Sequence, residues 1–167
     1  MIKPTKLLSD EHKTILKVVE MLEEECNSLK EKNIDKDFFI KVIDFIRNYA
    51  DKFHHAKEED ILFKEMCKPN VEMHCNPVEQ MLHEHNLGRN FVKNMELSLN
   101  KNDKNELVRN AREYIVLIRE HIFKEDNILY PMADEALGKT AQESMAKKFA
   151  EIGKERKIKY EIRRFKI

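Results

Sequence analysis

Residues able to bind metal fall at positions where a helical chain should be apolar. His12, His54, His85 and His121, with Glu58 and Glu125, stand inside four stripes of period three to four. The first stripe reads Leu8, His12, Ile15, Val19, Leu22, Cys26, Leu29, and the second Ile43, Ile46, Ala50, His54, Glu58, Ile61. The third reads Val78, Met81, His85, Val92, Met95, Leu99, with Gly88 in step, and the fourth Leu107, Ala111, Tyr114, Ile118, His121, Glu125, Ile128. Burying an ionised carboxylate or an unpaired imidazole costs several kcal/mol. One such residue could be a hydrogen-bonded core histidine, but six on four helices compensate one another best around a cation. Positions i and i+4 stand one above the other, about 6 Å apart along a helix axis. His54 with Glu58, and His121 with Glu125, can therefore each clasp one centre. Imidazole nitrogen with carboxylate oxygen suits iron, manganese or zinc. The six ligands exceed what one four-coordinate zinc takes and suit two bridged metals with open positions.

The elements that must position these groups follow from the punctuation. Thr5 or Ser9 can cap a first helix running to about Lys32, and Asp35 opens a second running to about Cys67, before Pro69. Asn76-Pro77 opens a third, to about Asn100, and Asp103 with Glu106 has capping-box spacing for a fourth. Pro131 falls near its end and Gly138 closes it; Thr140 with Glu143 starts a tail helix that Gly153 weakens. Short connections favour antiparallel neighbours, so the expected fold is all-α: an up-down-up-down four-helix bundle over 1–138 with an additional basic C-terminal helix over 139–167. The two halves also repeat. Glu11-His12-Lys-Thr-Ile precedes His54-His55-Ala-Lys-Glu58-Glu59-Asp60-Ile61-Leu62-Phe63. Glu84-His85-Asn-Leu-Gly precedes His121-Ile-Phe-Lys-Glu125-Asp126-Asn127-Ile128-Leu129-Tyr130. Such repetition puts equivalent ligands on both sides of a bundle centre.

With these paired blocks the sequence resembles the hemerythrin-like (HHE cation-binding) family over about residues 5–137. The resemblance implies an antiparallel four-helix bundle with a non-haem di-iron centre, two iron ions held by His12, His54, Glu58, His85, His121 and Glu125, the glutamates bridging. Manganese or zinc would also suit the set. Ferritin-like bundles use a Glu-x-x-His order, whereas the order here is His-x-x-x-Glu. The chain also departs from the oxygen-carrying hemerythrins, which have two histidines at HxxxH spacing on the third helix. Here Met81 stands four residues before His85 and Arg89 four after it, and the fourth-helix carboxylate is a glutamate at i+4 rather than an aspartate at i+5. The chain looks more like sensor, repair or iron-handling members.

Other polar residues are assigned lesser roles. His55 and Glu59 repeat the i, i+4 relation about 100° round the helix; they are expected to support the ligands or face the surface, with entry of one of them into the ligand set as the alternative. His83 should face solvent, and His74 should be structural or exposed. Glu11 and Glu84 read as supporting or surface charges. Tyr114 reads as core with a satisfied hydroxyl, or as a donor toward the metal pocket. Cys67 and Cys75 flank one loop, and free thiols are expected rather than a redox pair. Met66, Met73, Met81 and Met95 read as filler rather than soft-metal ligands.

Composition narrows the function classes. The 167 residues include only 3 Gly and 4 Pro, too few for a many-stranded β fold. No apolar run could span a bilayer and the N-terminus has no apolar leader, so a cytoplasmic location is expected. Three cysteines suit a reducing compartment. Charge balances at 31 basic and 31 acidic residues, but residues 139–167 carry a net +6. Ten basic residues mixed with four glutamates make a weak nucleic-acid footprint, so a solvated helix is expected there. The leading reading is a di-iron protein that binds or senses oxygen, nitric oxide or peroxide, or handles iron. One alternative is an oxidoreductase consuming peroxide or nitric oxide with electrons from a partner protein, since no flavin, nicotinamide or iron–sulfur motif is present. The other is a helical adaptor with a structural metal. The oligomeric state is open.

Overall fold

The computed structural model describes residues 2–72 and 77–155, without the side chains of residues 154 and 155. Among these the chain is entirely helical, with five helices: α1 (Pro4–Ser28), α2 (36–66), α3 (Val78–Asn100), α4 (104–136) and α5 (Lys139–Glu155). His74, Cys75, Met73 and Asn76 lie outside the described residues, as does the basic tail beyond 155.

Local chemistry sets most boundaries. Asp35 caps α2 by accepting from the Phe38 N–H, and Asp103 caps α4 by accepting from the Glu106 N–H. At α1, Pro4 takes the first helical position after Lys3. The hydroxyls of Thr5 and Ser9, expected as caps, bond instead to Asp134 and Asp126 on α4. Helix α1 stops at Ser28, short of the expected Lys32. The α3–α4 turn closes as a Schellman motif: the Asp103 N–H donates to Ser98 O at 2.9 Å and the Asn102 N–H to Leu99 O at 3.1 Å, with Asn102 at φ 55°.

Each of the first four helices packs on its chain neighbour, and α1 on α4 completes the ring. Pairings cross in opposite order: Ser9 with Asp126 but Glu23 with Arg119, and Arg47 with Glu96 but Glu59 with His85. The stripes read from the sequence are buried throughout, with one exception. Ile128 is 48% exposed and Leu129 takes its place in the core. The cause is a π-helical turn over Glu125–Leu129, whose extra residue per turn moves the following side chains one position round. Helix α2 is π-wound over Ile46–His55 and again over Glu58–Leu62.

The apolar interior is divided in two. One cluster gathers Leu22, Phe39, Phe45, Met95 and Leu107 toward one end. The other gathers Leu8, Leu62, Met66, Leu129 and Tyr130, and α5 adds Met145 and Phe149 to it. The imidazoles and carboxylates belong to neither cluster.

Candidate metal centre

The six residues expected from the sequence are all buried, none more than 2% exposed. They form two nests. His12, His54, Glu58 and Glu125 place ligand atoms within 4.8 Å of one another, and so do His55, Glu58, His85 and His121. Both glutamates reach both nests. The Glu125 oxygens lie 3.1 Å from His121 Nε2 and 3.2 Å from His12 Nε2. Glu58 Oε2 lies 3.6 Å from His54 Nε2 and 3.5 Å from His85 Nε2.

Each of the four core histidines has its outer nitrogen on a carboxylate from the neighbouring helix. His54 Nδ1 bonds Glu11 at 3.0 Å, His85 Nδ1 bonds Glu59 at 2.7 Å, His121 Nδ1 bonds Glu84 at 2.8 Å, and His12 Nδ1 bonds Asp126 at 3.0 Å. These bonds run α1 to α2, α2 to α3, α3 to α4 and α4 back to α1. The carboxylates are anchored in turn: Lys57 holds Glu11, Lys124 holds Glu84, Ser9 donates to Asp126, and Arg89 donates to Glu59 at 2.6 Å. A carboxylate accepts, so each Nδ1 carries a proton and each Nε2 faces inward, where it presents a lone pair whenever the ring is neutral.

That arrangement crowds inward nitrogens and carboxylate oxygens together, with too few protons to pair them all. His12 Nε2 and His54 Nε2 are 3.0 Å apart, and so are His85 Nε2 and His121 Nε2. Between them Glu58 Oε2 and both Glu125 oxygens are buried without a hydrogen bond. Orphaned carboxylate oxygens opposite inward lone pairs require cations, so the residues present fit bound metal.

Protons take part of that role in the metal-free chain. Burial pushes His12 down, but Asp126 and Glu125 outweigh it and hold the ring up at about 9. His121 is likewise pulled down by burial but raised to about 10 by Glu125 and Glu84. His54 is held well below its usual value by burial and by His12 and His55. His55 is lowered to about 3 by burial and by His85. Burial and the Glu125 charge push Glu58 well up. Glu125 goes well down: burial opposes this, but His121 and His12 prevail.

His55 follows the alternative rather than the expected supporting or surface role: it is 7% exposed, stacks on His85 with ring centroids 3.8 Å apart, and completes the second nest. The π-wound stretch that ends at His55 alters the phase on which the expectation rested. Tyr130 donates to Glu58 Oε1 at 2.5 Å and stands 3.3 Å from His12 Nε2. Its aromatic position in the repeat was the available signal; the partner position, Phe63, stacks on His85. Glu11, Glu84 and Glu59 bond the histidines His54, His121 and His85, and His83 is exposed. Tyr114 is buried, but its hydroxyl has neither of the expected partners. Cys67 is exposed, and its relation to Cys75 lies outside the described residues. No described helix is long and apolar enough to cross a membrane.

The fold and the buried nests define a helical cation-binding protein. The model of the hemerythrin HHE cation-binding domain matches residues 3–133, and the chain belongs to that family. No curated protein and no solved structure matches it.

Proposed function

We propose that the chain is a di-iron protein of hemerythrin type, its up-down-up-down bundle over 1–138 carrying the basic C-terminal helix over 139–167. In this reading one iron sits with His12 and His54, the other with His85, His121 and His55, and Glu58 and Glu125 bridge them. Manganese or zinc could take the same ligands. Two irons so held supply open positions for oxygen, nitric oxide or peroxide. The protein then senses or binds such a molecule, or handles iron, in the cytoplasm. The single observation behind this is the set of three orphaned carboxylate oxygens facing two pairs of inward imidazole nitrogens.

The chain's own residues account for selectivity and order. The crossed carboxylates fix the imidazole tautomers, and Tyr130 restrains Glu58 on the side of His12. Turnover of peroxide or nitric oxide would need electrons from a partner protein.

Elemental analysis of protein reconstituted anaerobically with ferrous iron tests the reading. About two irons per chain are expected, the number two bridged nests hold. His54→Ala with Glu58→Ala should abolish most binding, while the exposed His83→Ala should retain it. One metal or none in the unaltered chain would move a structural-metal adaptor to the front.

A further inference from the structure

A cavity of about 420 Å³ lies among α2, α3 and α4, beside the second nest. His55, His85 and His121 border it, and Ile46, Val92 and Ile118 supply hydrocarbon walls. Arg47 and the exposed Lys52 stand on the solvent side. The internal repeat shows what leaves room here. Ile15 stands three residues after His12 and is 1% exposed; three residues after His85 stands Gly88. A Cβ on Gly88 would meet nothing nearer than Tyr114 Cε2 at 3.7 Å, so the glycine leaves this volume open. His55 replaces, in the same half-turn of the repeat, an isoleucine at 122.

We propose that this cavity binds an uncharged organic molecule with a hydrocarbon body and one hydrogen-bond-accepting oxygen. Size speaks against a bare diatomic as its occupant, since about 150 Å³ already holds benzene. The acceptor follows from Tyr114, a lining residue 2% exposed whose hydroxyl is buried from water without a hydrogen-bond partner among the described residues. A molecule displacing the wall enough to reach it meets a free donor. Neutrality follows from the charged groups on the wall, which apart from the exposed Lys52 at the mouth are matched among themselves. Arg47 bonds Glu96, Arg89 bonds Asp51 and Glu59, and Glu84 bonds Lys124 and His121. Such a molecule would lie against the imidazoles of the second nest. Only its bearing on an iron there rests on the proposed centre.

Acetophenone, ethylbenzene and benzoate, titrated by NMR into metal-free and iron-loaded protein, test the proposal. Acetophenone should shift the Tyr114, Val92 and Ile118 resonances saturably, ethylbenzene should bind more weakly, and benzoate weakest. Tyr114→Phe should weaken acetophenone about fivefold, the worth of one neutral hydrogen bond, and leave ethylbenzene unchanged. Gly88→Ile, which restores the residue of the other half, should abolish both. If it does not fold, Gly88→Ala should weaken acetophenone and ethylbenzene together. Absence of saturable shifts, equal binding by the Gly88 variants, or benzoate binding best would overturn the proposal. Iron counted on the same samples separates the two readings. Two irons without probe binding defeats the cavity alone, and probe binding without iron defeats the centre alone.

Discussion

Glu11, Glu59, Glu84 and Asp126 each orient an imidazole on the next helix, so their effect is on tautomer and aim rather than on ligand count. Glu84 is the sharpest case, because burial opposes its charge yet His121, Gln80 and Lys124 hold its carboxyl down at about 2. Glu84→Gln keeps the shape but removes the charge that fixes the His121 Nδ1 proton. Iron affinity should then fall about 10- to 100-fold, with stoichiometry still approaching two at high iron. Competition against a chelator of known affinity measures this, and an unchanged affinity would make Glu84 a helix-pairing residue only. The four core histidines and the two glutamates buried with them were legible in the sequence because a 3/4 stripe interrupted by ligand types has no apolar explanation. Tyr130 was not, and His55 only as an alternative, because each is brought to the site by a π-wound stretch that a regular period does not describe.

The helices carry that phase change in their packing. The sequence stripe puts Ile128 inside, and the π-turn over Glu125–Leu129 puts Leu129 there at 1% exposure instead. Leu129→Ala should therefore cost about 2–5 kcal/mol, as buried leucine truncations do. Ile128→Ala should stay within about 0.5 kcal/mol. Urea midpoints of the two variants decide it, and the reverse order would mean that α4 is regular through Glu125. Two helix starts were legible from local chemistry, since Asp35 and Asp103 cap as it dictates. Thr5 and Ser9 failed as caps because long-range acceptors on α4 compete for their hydroxyls.

At the scale of the whole molecule, a titrating polar layer separates two apolar clusters, so stability must depend on pH and on metal together. In the metal-free chain His54, His55 and His85 sit below the ordinary 6.5. Their contribution is present above 6.5 and is lost as pH falls toward about 3, where His55 titrates. His12 and His121 sit at about 9 and about 10, so their contribution is full below 6.5 and is lost as pH rises through those values. Glu58, whose carboxyl is pushed well up, likewise contributes fully below its ordinary 4.5 and loses that contribution as pH rises. The metal-free melting temperature should therefore peak near neutrality and fall on both sides. Metal needs neutral imidazoles and ionised carboxylates, so binding must expel the protons of His12, His121 and Glu58. The stabilisation that ferrous iron adds should accordingly grow as pH rises from about 6 to about 9, flattening the alkaline limb. Anaerobic melting curves with and without iron from about pH 5 to about pH 10 measure both effects. An alkaline limb that iron leaves unchanged would mean that the layer is satisfied by its own protons, and that the metal binds elsewhere or not at all.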